Sequence, residues 1–288
     1  MSFESSSFLF SHKFNYDRNS LFFLILKLST FETETPQIKI KQIKERLYII
    51  LCEGIQMRTS KVGTLYIVAT PIGHKDDITL HAIEILKKVD LVICEELRNG
   101  STFLKRLDIK KELITLNEHN ENEMVQNILI ELLNGKKMAL ISDCGTPVFS
   151  DPGRKLLQIL YDSSVTVRTI PGASSLIAAI SICPLNLEQF TFVGFLPPQT
   201  EKRLKVLRNY SHLQHPIILM DTPYRLGKLL NECAEVFGKK QTIFLACDLT
   251  LPRERSYLGS IEDILPKVEN TKAEFILIVD KPQRRRQR

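Results

Sequence analysis

The sequence contains no tryptophan, and its six cysteines form neither a C-x-x-C pair nor a cluster with histidine. Cysteines scattered in this way argue against a disulfide framework or a zinc site, so we predict no metal centre and a reducing, cytoplasmic environment. Long apolar runs are missing as well. The best candidate, residues 21–28, is interrupted by Lys27 and is much shorter than the roughly 20 residues that cross a bilayer. We therefore expect no association with a membrane.

The signatures of three common enzyme classes are also absent. No G-x-G-x-x-G follows the first strand-like run, and neither G-x-x-x-x-G-K-[ST] nor G-x-S-x-G occurs in the chain. A Rossmann dinucleotide site, a P-loop and the nucleophile elbow of α/β hydrolases each depend on one of these loops. Nicotinamide-dependent dehydrogenases, nucleoside triphosphatases and hydrolases of that type are therefore disfavoured.

The composition is that of a globular protein whose charge is unevenly placed. Of its 288 residues, 43% are hydrophobic and 25% are charged, which is enough for one large domain or two of medium size. Residues 58–280 carry as many acidic as basic side chains, whereas residues 281–288 carry five basic side chains and no acidic one. A basic tail of this kind attracts nucleic-acid phosphates without reading sequence. A merely solvated terminus is the alternative.

Residues 1–56 differ in character from the rest of the chain. They begin with a segment rich in serine and phenylalanine, and they contain no motif that indicates a function. A basic flank before a short apolar run weakly resembles a signal peptide, but no cleavage site of small residues follows it. Because Met57 lies just ahead of the first predicted strand, we interpret residues 1–56 as an extension or as the product of an upstream start.

From residue 63 onward, apolar runs rich in β-branched residues alternate with amphipathic segments of helical length. Alternation of this kind predicts βαβ units, and hence a parallel sheet covered by helices on both faces. The predicted strands are 64–68, 89–94, 113–116, 138–141 and 165–170, and the predicted helices lie near 79–88, 100–107, 121–134, 152–162 and 174–182.

Residues 183–189 interrupt this alternation and mark the predicted domain boundary. We expect an N-terminal α/β domain over 57–186, closed by the helix near 174–182, and a smaller mixed-sheet domain over 187–280, followed by the tail at 281–288. The second domain has predicted strands near 190–195, 216–221, 242–247 and 274–280, and predicted helices near 200–210, 223–236 and 260–268.

Three strands of the first predicted domain are followed by loops rich in glycine, proline and small polar residues. These loops are T-P-I-G at 70–73, S-D-C-G-T-P-V-F-S-D-P-G at 142–153 and P-G-A-S-S at 171–175. Ligands of open α/β sheets bind outside the carboxyl ends of the strands, so a cofactor site is expected here. Gly145 suits a positive φ, and Gly153 suits a close approach of the backbone to a ligand. The structural alternative is helix capping by Asp76 or Asp77 and by Ser174.

In this order, T-P-I-G…D-D-I-T-L, S-D-C-G-T-P…S-D-P-G and P-G-A-S-S resemble the motifs of the tetrapyrrole methylase superfamily. Segments 63–73, 117–121, 142–147 and 192–197 are similar to the ribosomal RNA small subunit methyltransferase I family within it. The resemblance covers residues 62–280. It implies an α/β, two-domain tetrapyrrole-methylase-like fold, with a parallel-sheet N-terminal domain and a smaller mixed-sheet C-terminal domain. It also implies an S-adenosylmethionine site between the domains and a homodimer.

The implied reaction is 2′-O-methylation of a cytidine ribose in small-subunit rRNA, on the RNA or on the 30S subunit. The chain departs from the family pattern in two places. Where E-D-T-R-H-T is usual it has E-E-L-R-N-G at 95–100, which keeps Glu95 and Arg98, and where E-S-x-x-R is common it has D-T-P-Y-R at 221–225. A small-molecule methylase acting on a tetrapyrrole and a non-catalytic RNA-binding assembly protein remain open alternatives.

The loop chemistry and the resemblance together give the predicted site. In it, Glu95 and Arg98 position the hydroxyl and a phosphate, and His119, oriented by Glu118 or Glu121, accepts the proton. Alternatively, His119 only bonds a loop carbonyl. The predicted catalytic residues are Glu95, Arg98, Glu118, His119 and Asn120, and the predicted cofactor-binding residues are Pro71, Gly73, Ser142, Asp143, Gly145, Thr146, Pro147, Ser150, Asp151, Pro171, Gly172, Ser174, Ser175 and Thr222.

Overall fold

The computed structural model describes residues 62–149 and 151–281, so the predicted extension at 1–56 and all but the first residue of the basic tail lie outside it. The first half of the described chain alternates strands and helices as predicted. Its elements are β1 (Thr64–Val68), α1 (Leu80–Lys88), β2 (Leu91–Cys94), α2 (Leu97–Arg106), β3 (Glu112–Thr115), α3 (Glu121–Leu133), β4 (Lys137–Ile141), α4 (Arg154–Tyr161), β5 (Thr166–Ile170) and α5 (Ser175–Ser181).

The five strands of this half form one parallel sheet in the order β3-β2-β4-β1-β5. Successive strand residues point to opposite faces, and each face is covered by helices, which explains why the strands are almost continuously apolar. Leu65, Ile93 and Leu140 pack against α3 and α4 on one face. Val68 and Val92 pack against α1 and α2 on the other face. The prediction of a parallel sheet with two covered faces is therefore confirmed.

The second half builds a mixed sheet in the order β6-β7-β10-β8-β9. β6 runs parallel to β7, and the remaining pairs are antiparallel. One face of this sheet is covered by the helices α6, α7 and α8. The elements are β6 (Thr191–Phe195), α6 (Thr200–Tyr210), β7 (Ile217–Asp221), a 3₁₀ turn (Pro223–Arg225), α7 (Leu226–Phe237), β8 (Thr242–Cys247), β9 (Arg255–Ser260), α8 (Ile261–Val268) and β10 (Phe275–Val279).

Two features of this half differ from the expectation. Strand β9 was not predicted, because its sequence R-S-Y-L-G-S is largely polar and it forms an edge of the sheet, where only one side needs a partner. Helix α5 was expected to close the first domain, but its buried Ala179 packs among Ile218, Phe244 and Ile276 on the free face of the second sheet. The domain boundary at 186/187 therefore stays a prediction.

The helix caps also differ from the structural alternatives considered for the loops. Helix α1 is capped by Thr79, whose hydroxyl accepts from the Ala82 N–H at 3.0 Å, and not by Asp76 or Asp77. Ser174 occupies the N-cap position of α5, but its side chain makes no capping bond. Capping therefore does not account for the side chain of Ser174.

A buried ion pair fixes the turn that follows β6. The Arg203 guanidinium is fully buried and donates from Nε and Nη2 to the Glu232 carboxylate at 2.5 and 2.6 Å. Its Nη1 donates to the carbonyls of Pro197 and Pro198, both at 2.8 Å. With the charge balanced and both carbonyls satisfied, Arg203 holds this turn in place on α6 and α7.

Candidate functional site

The three glycine- and proline-rich loops lie side by side because β4, β1 and β5 are neighbours in the first sheet. Thr70 joins two of them: its N–H donates to the Gly145 carbonyl at 2.9 Å, and its hydroxyl donates to the Ser142 carbonyl at 3.1 Å. The Thr146 hydroxyl donates to the Ala173 carbonyl at 3.3 Å and thereby ties in the third loop. The loops thus form one hydrogen-bonded rim at the carboxyl edge of the sheet.

The two glycines singled out in the long loop have different roles. Gly145 has φ +81°, as predicted, and a Cβ built on it would lie 3.3 Å from Ile72 Cγ2. Gly153 also has a positive φ, but it faces the side chains of Leu140 and Val148 instead of a ligand space. The expectation that Gly153 admits a ligand is therefore wrong, because its freedom is used to start α4 against the core.

A cleft of about 240 Å³ lies between the two sheets. From the first-sheet side it is lined by five of the predicted cofactor residues, Gly145, Thr146, Asp151, Ser174 and Ser175. From the second sheet it is lined mainly by Phe195, Met220, Asp221, Asp248, Leu249, Glu274 and Phe275. The first-sheet side therefore combines short polar residues and one carboxylate with the apolar side chains of Ile72, Phe149 and Leu176, and the second-sheet side is largely apolar with three carboxylates.

A second, wider concavity of about 830 Å³ opens beside the cleft, and Ile72 and Cys144 line both. We call it the open concavity. It is lined by the predicted residues Pro71, Gly73, Arg98 and Asp143, and by Lys75, Arg106 and Phe103. Among the described residues, neither Arg98 nor Arg106 takes part in an ion pair. Their guanidinium groups are free to meet an anionic ligand.

Some residues predicted to be catalytic and some predicted to bind the cofactor lie together in a cluster of carboxylates at the carboxyl edge of the first sheet. Burial raises the pKa of Glu95, and the carboxylates of Asp151, Asp143, Glu96 and Glu118 raise it further. Burial and then the neighbouring Asp143 likewise raise the pKa of Asp151. The strand order β3-β2-β4 explains this clustering, because it places the ends of these three strands next to one another. Unpaired carboxylates here favour a cationic group.

The loop between β3 and α3 is held by its asparagines. Asn120 Nδ2 donates to the carbonyl and hydroxyl of Thr115 at 3.2 and 3.1 Å, and its Oδ1 accepts from the Asn117 N–H at 2.8 Å. Asn120 therefore orders the loop that presents Glu118 and His119, both of which are exposed. A catalytic role for Asn120, Glu118 or His119 remains a prediction.

Glu121 does not orient His119, contrary to one of our two alternatives. Its buried carboxylate accepts from the Gly153 N–H at 3.1 Å and pairs with Lys155 at 3.3 Å. These donors lower the pKa of Glu121 despite its burial. The Glu121 carboxylate thus connects the start of α4 to the start of α3. Because it is engaged there, it does not orient His119.

The remaining predicted residues line neither the cleft nor the open concavity. Ser142 and Pro147 are buried in the loop, where the Ser142 hydroxyl donates to the Gly145 carbonyl at 2.8 Å. Pro171, Gly172 and Thr222 are exposed beside the cleft walls, and Ser150 lies outside the described residues. Their assignment to the cofactor remains a prediction.

Three acidic residues of the cleft were missed: Asp221, Asp248 and Glu274. Asp221 ends β7, Asp248 follows β8 and Glu274 precedes β10. Because β10 runs antiparallel to its two neighbours, its beginning lies beside their ends. Each of these acids lies at or next to one end of a buried apolar run, and this much is visible in the sequence. Whether the three acids lie close together depends on the directions of the strands, which the sequence does not reveal.

Residues 64–265 match the family model of tetrapyrrole (corrin/porphyrin) methylases. The chain is also 36% identical over 202 residues to the ribosomal RNA small subunit methyltransferase I of Neisseria meningitidis serogroup B, covering 70% of this chain and 69% of that protein. The chain belongs to the ribosomal RNA small subunit methyltransferase I family. The Xylella fastidiosa member of this family is 35% identical over 224 residues, which cover 76% of this chain and 82% of that protein.

The fold agrees with this family assignment. The uroporphyrin-III-C-methyltransferase of Thermus thermophilus superimposes with a TM-score of 0.53 at 21% identity, covering 77% of this chain and 95% of that one. The likeness is one of fold, and it confirms the expected tetrapyrrole-methylase architecture. None of the helices in the described part of the chain is both long and apolar enough to cross a membrane.

Methylases of this family take the methyl group from S-adenosylmethionine. The cleft fits such a molecule in three respects. Gly145 leaves open the space beside Ile72 that a Cβ would occupy, and Ser174 and Ser175 offer polar groups that are not needed as helix caps. The carboxylate of Asp151, for which no ion pair is found among the described residues, suits a cationic sulfonium.

Proposed function

We propose that this protein methylates the ribose 2′-oxygen of a cytidine in small-subunit rRNA, with S-adenosylmethionine as the methyl donor. The observation that carries the proposal is the shared wall between the cleft and the open concavity, formed by Ile72 and Cys144. Because these two residues line both spaces, a donor held in the cleft and a ribose held in the open concavity would lie next to each other, and nearness of the two reactants is a requirement of direct methyl transfer.

The cleft supports the donor half of the proposal. S-Adenosylmethionine supplies a methyl group on a positively charged sulfur, and Asp151 on the first-sheet wall would attract that charge. Gly145, Thr146, Ser174 and Ser175 would bind the polar parts of the cofactor through backbone groups and short side chains. The hydrogen bonds that join the three loops would keep these groups in place without rearrangement.

The open concavity supports the RNA half. Arg98 and Arg106 carry exposed guanidinium groups, whose planar donor sets match phosphate oxygens. Its volume of about 830 Å³ exceeds that of the cleft and is large enough to hold a nucleotide. Arg98 would position the substrate rather than take part in proton transfer.

Glu95 and His119 are the two groups proposed to receive the hydroxyl proton. Burial and four surrounding carboxylates raise the pKa of Glu95, which makes its carboxylate a better proton acceptor than a solvated one. His119 lies in the adjacent loop, has an exposed side chain and can approach a substrate. Glu118 would orient the imidazole, since Glu121 is engaged elsewhere.

The test is methyl transfer from a radiolabelled donor to small subunits and to naked rRNA from cells that lack this gene, followed by mapping of 2′-O-methyl sites. We expect label on one cytidine ribose. Arg98→Ala should reduce turnover mainly through a higher KM for RNA, and His119→Ala mainly through a lower kcat. Arg168→Ala is the matched control, because Arg168 is an exposed arginine of β5 that lines neither the cleft nor the open concavity.

Two outcomes would contradict the proposed function, and each would support one of the alternatives. Label on a tetrapyrrole, with none on RNA or small subunits, would establish a small-molecule methylase of the same fold. Failure to bind S-adenosylmethionine in a calorimetric titration, with RNA affinity retained, would establish a non-catalytic RNA-binding protein.

A further inference from the structure

Helix α2 and the turn after it carry an excess of positive charge, although the body of the chain is balanced. Residues 97–111 contain five basic side chains and one acidic side chain, whereas residues 58–280 as a whole contain equal numbers. Within α2 itself the basic residues are Arg98, Lys105 and Arg106, and the helix has no acidic residue. Because the helix supplies no acidic partner of its own, it favours an anionic ligand at its surface.

The packing of α2 on the first sheet determines which of its sides faces outward. Gly100 is buried against β2, since a Cβ built on it would lie 2.8 Å from Cys94 Sγ. At about 3.6 residues per turn, the side opposite to Gly100 is formed by Arg98, Thr102 and Lys105. All three are exposed, and we call them the crest of α2.

A concavity lies on each side of this crest. The open concavity takes Thr102 and Arg106 from one side of α2. On the other side is a concavity of about 430 Å³, which we call the lysine pocket and which is lined chiefly by Ser101, Lys105 and residues 108–113. The two spaces share no lining residue, so the crest of α2 separates them.

The lysine pocket is positively charged. Its charged residues are three lysines and two acids: Lys105, Lys110, Lys111, Asp108 and Glu112. The Lys111 ammonium is fixed, because its Nζ donates to the Val89 carbonyl at 2.5 Å. Lys105 and Lys110 are exposed, and neither takes part in an ion pair within the described part of the chain. Their ammonium groups can therefore contact an anion in the pocket.

We propose that the lysine pocket binds the phosphate backbone of the nucleotides that flank the target cytidine, an inference that rests on the proposed function. An RNA strand that occupies both the open concavity and the lysine pocket must cross the crest, where Arg98 and Lys105 carry positive charges. Lys105 and Lys110 contact phosphates as point charges, so they add affinity without reading the bases. The pocket thus holds the strand in register while Arg98 positions the target nucleotide.

Acetylation of lysines tests this contact in the full-length wild-type protein. The protein is treated with an acetylating reagent, alone and with whichever of small subunits or naked rRNA accepts the methyl group, and the acetylation of each lysine is measured by mass spectrometry. Bound RNA should protect Lys105 and Lys110. Lys239 and Lys240 are the control, because they are exposed after α7 and line neither concavity. They should react equally in both samples.

The salt dependence of RNA binding gives a second measurement. Replacing both lysines by alanine, Lys105→Ala with Lys110→Ala, should weaken binding and reduce the slope of log K against log salt by about 1.4, since each lost contact with a single strand removes about 0.7. The matched control, Lys239→Ala with Lys240→Ala, removes the same charge and should leave the slope unchanged.

Methyl transfer to rRNA with Lys105 and Lys110 unprotected and the salt slope unchanged would overturn the role of the lysine pocket and leave the proposed function standing. Absence of both RNA binding and methyl transfer to RNA would overturn the proposed function, and the role of the lysine pocket with it. The acetylation comparison needs no variant, so it decides the matter even if the double variant folds poorly.

Discussion

Replacing Gly145 by valine tests whether the loop after β4 forms the wall of a cofactor site. Gly145 has φ +81°, and its carbonyl accepts from the Thr70 N–H at 2.9 Å and from the Ser142 hydroxyl at 2.8 Å. Rotation to a negative φ would disrupt these two bonds, each with a net value of about 1 kcal/mol. We therefore expect valine to stay in the strained conformation.

The expected loss of stability is modest. A left-handed backbone conformation costs an L-residue roughly 1–2 kcal/mol. The added Cβ would lie 3.3 Å from Ile72 Cγ2, which requires a small shift of that side chain. For a folded region of this size, such a loss lowers Tm by about 2–8 °C. The variant should remain folded, since domains are typically stable by about 5–15 kcal/mol.

The expected loss of affinity is much larger, because Gly145 lines the cleft and the valine methyl groups would compete for space with the proposed cofactor. Calorimetric titration with S-adenosylmethionine should detect no binding by Gly145→Val, while thermal unfolding shows a cooperative transition. Gly238→Val is the control: Gly238 has φ +101° at the end of α7, and an added Cβ would meet no atom within 4 Å. This variant should lose stability and keep its affinity. Wild-type affinity in a folded Gly145→Val protein would refute the placement of the cofactor.

Three further predictions concern stability, pH and the chain end. Glu232→Gln should lower the free energy of unfolding by about 3–5 kcal/mol, because it leaves the buried Arg203 charge unbalanced; a loss below about 1 kcal/mol in urea titrations would contradict this. The pKa of Asp151 is raised in the folded protein, so its protonation favours folding below the ordinary pKa, and this contribution is lost as pH rises through the raised pKa. Unfolding titrations should show that Asp151→Asn removes this pH dependence, and an unchanged profile would count against it. Deletion of residues 281–288 should weaken RNA binding and reduce its dependence on salt, with cofactor affinity preserved; an identical salt slope would show that the tail does not contact RNA.

The sequence by itself determined the succession of elements and the places where loops had to be special. Buried strands such as Leu91–Cys94 are apolar throughout, and helices such as Glu121–Leu133 repeat apolar residues every three or four positions. Gly145 could be assigned a positive φ from its position in a dense turn. The ordered motifs on the strand ends also sufficed to indicate the family. All of these are local properties, or depend only on the order of segments along the chain.

Tertiary structure alone decided which distant residues meet. The order β3-β2-β4-β1-β5 brings Glu95 under the influence of Asp143 and Asp151, and the reversed direction of β10 places Glu274 near Asp221. The local sequence indicates neither the order nor the direction of the strands, because a buried strand is an apolar run whatever its position in the sheet. Strand β9 escaped prediction for the related reason that it is a polar edge strand, held by pairing with β8 and not by burial.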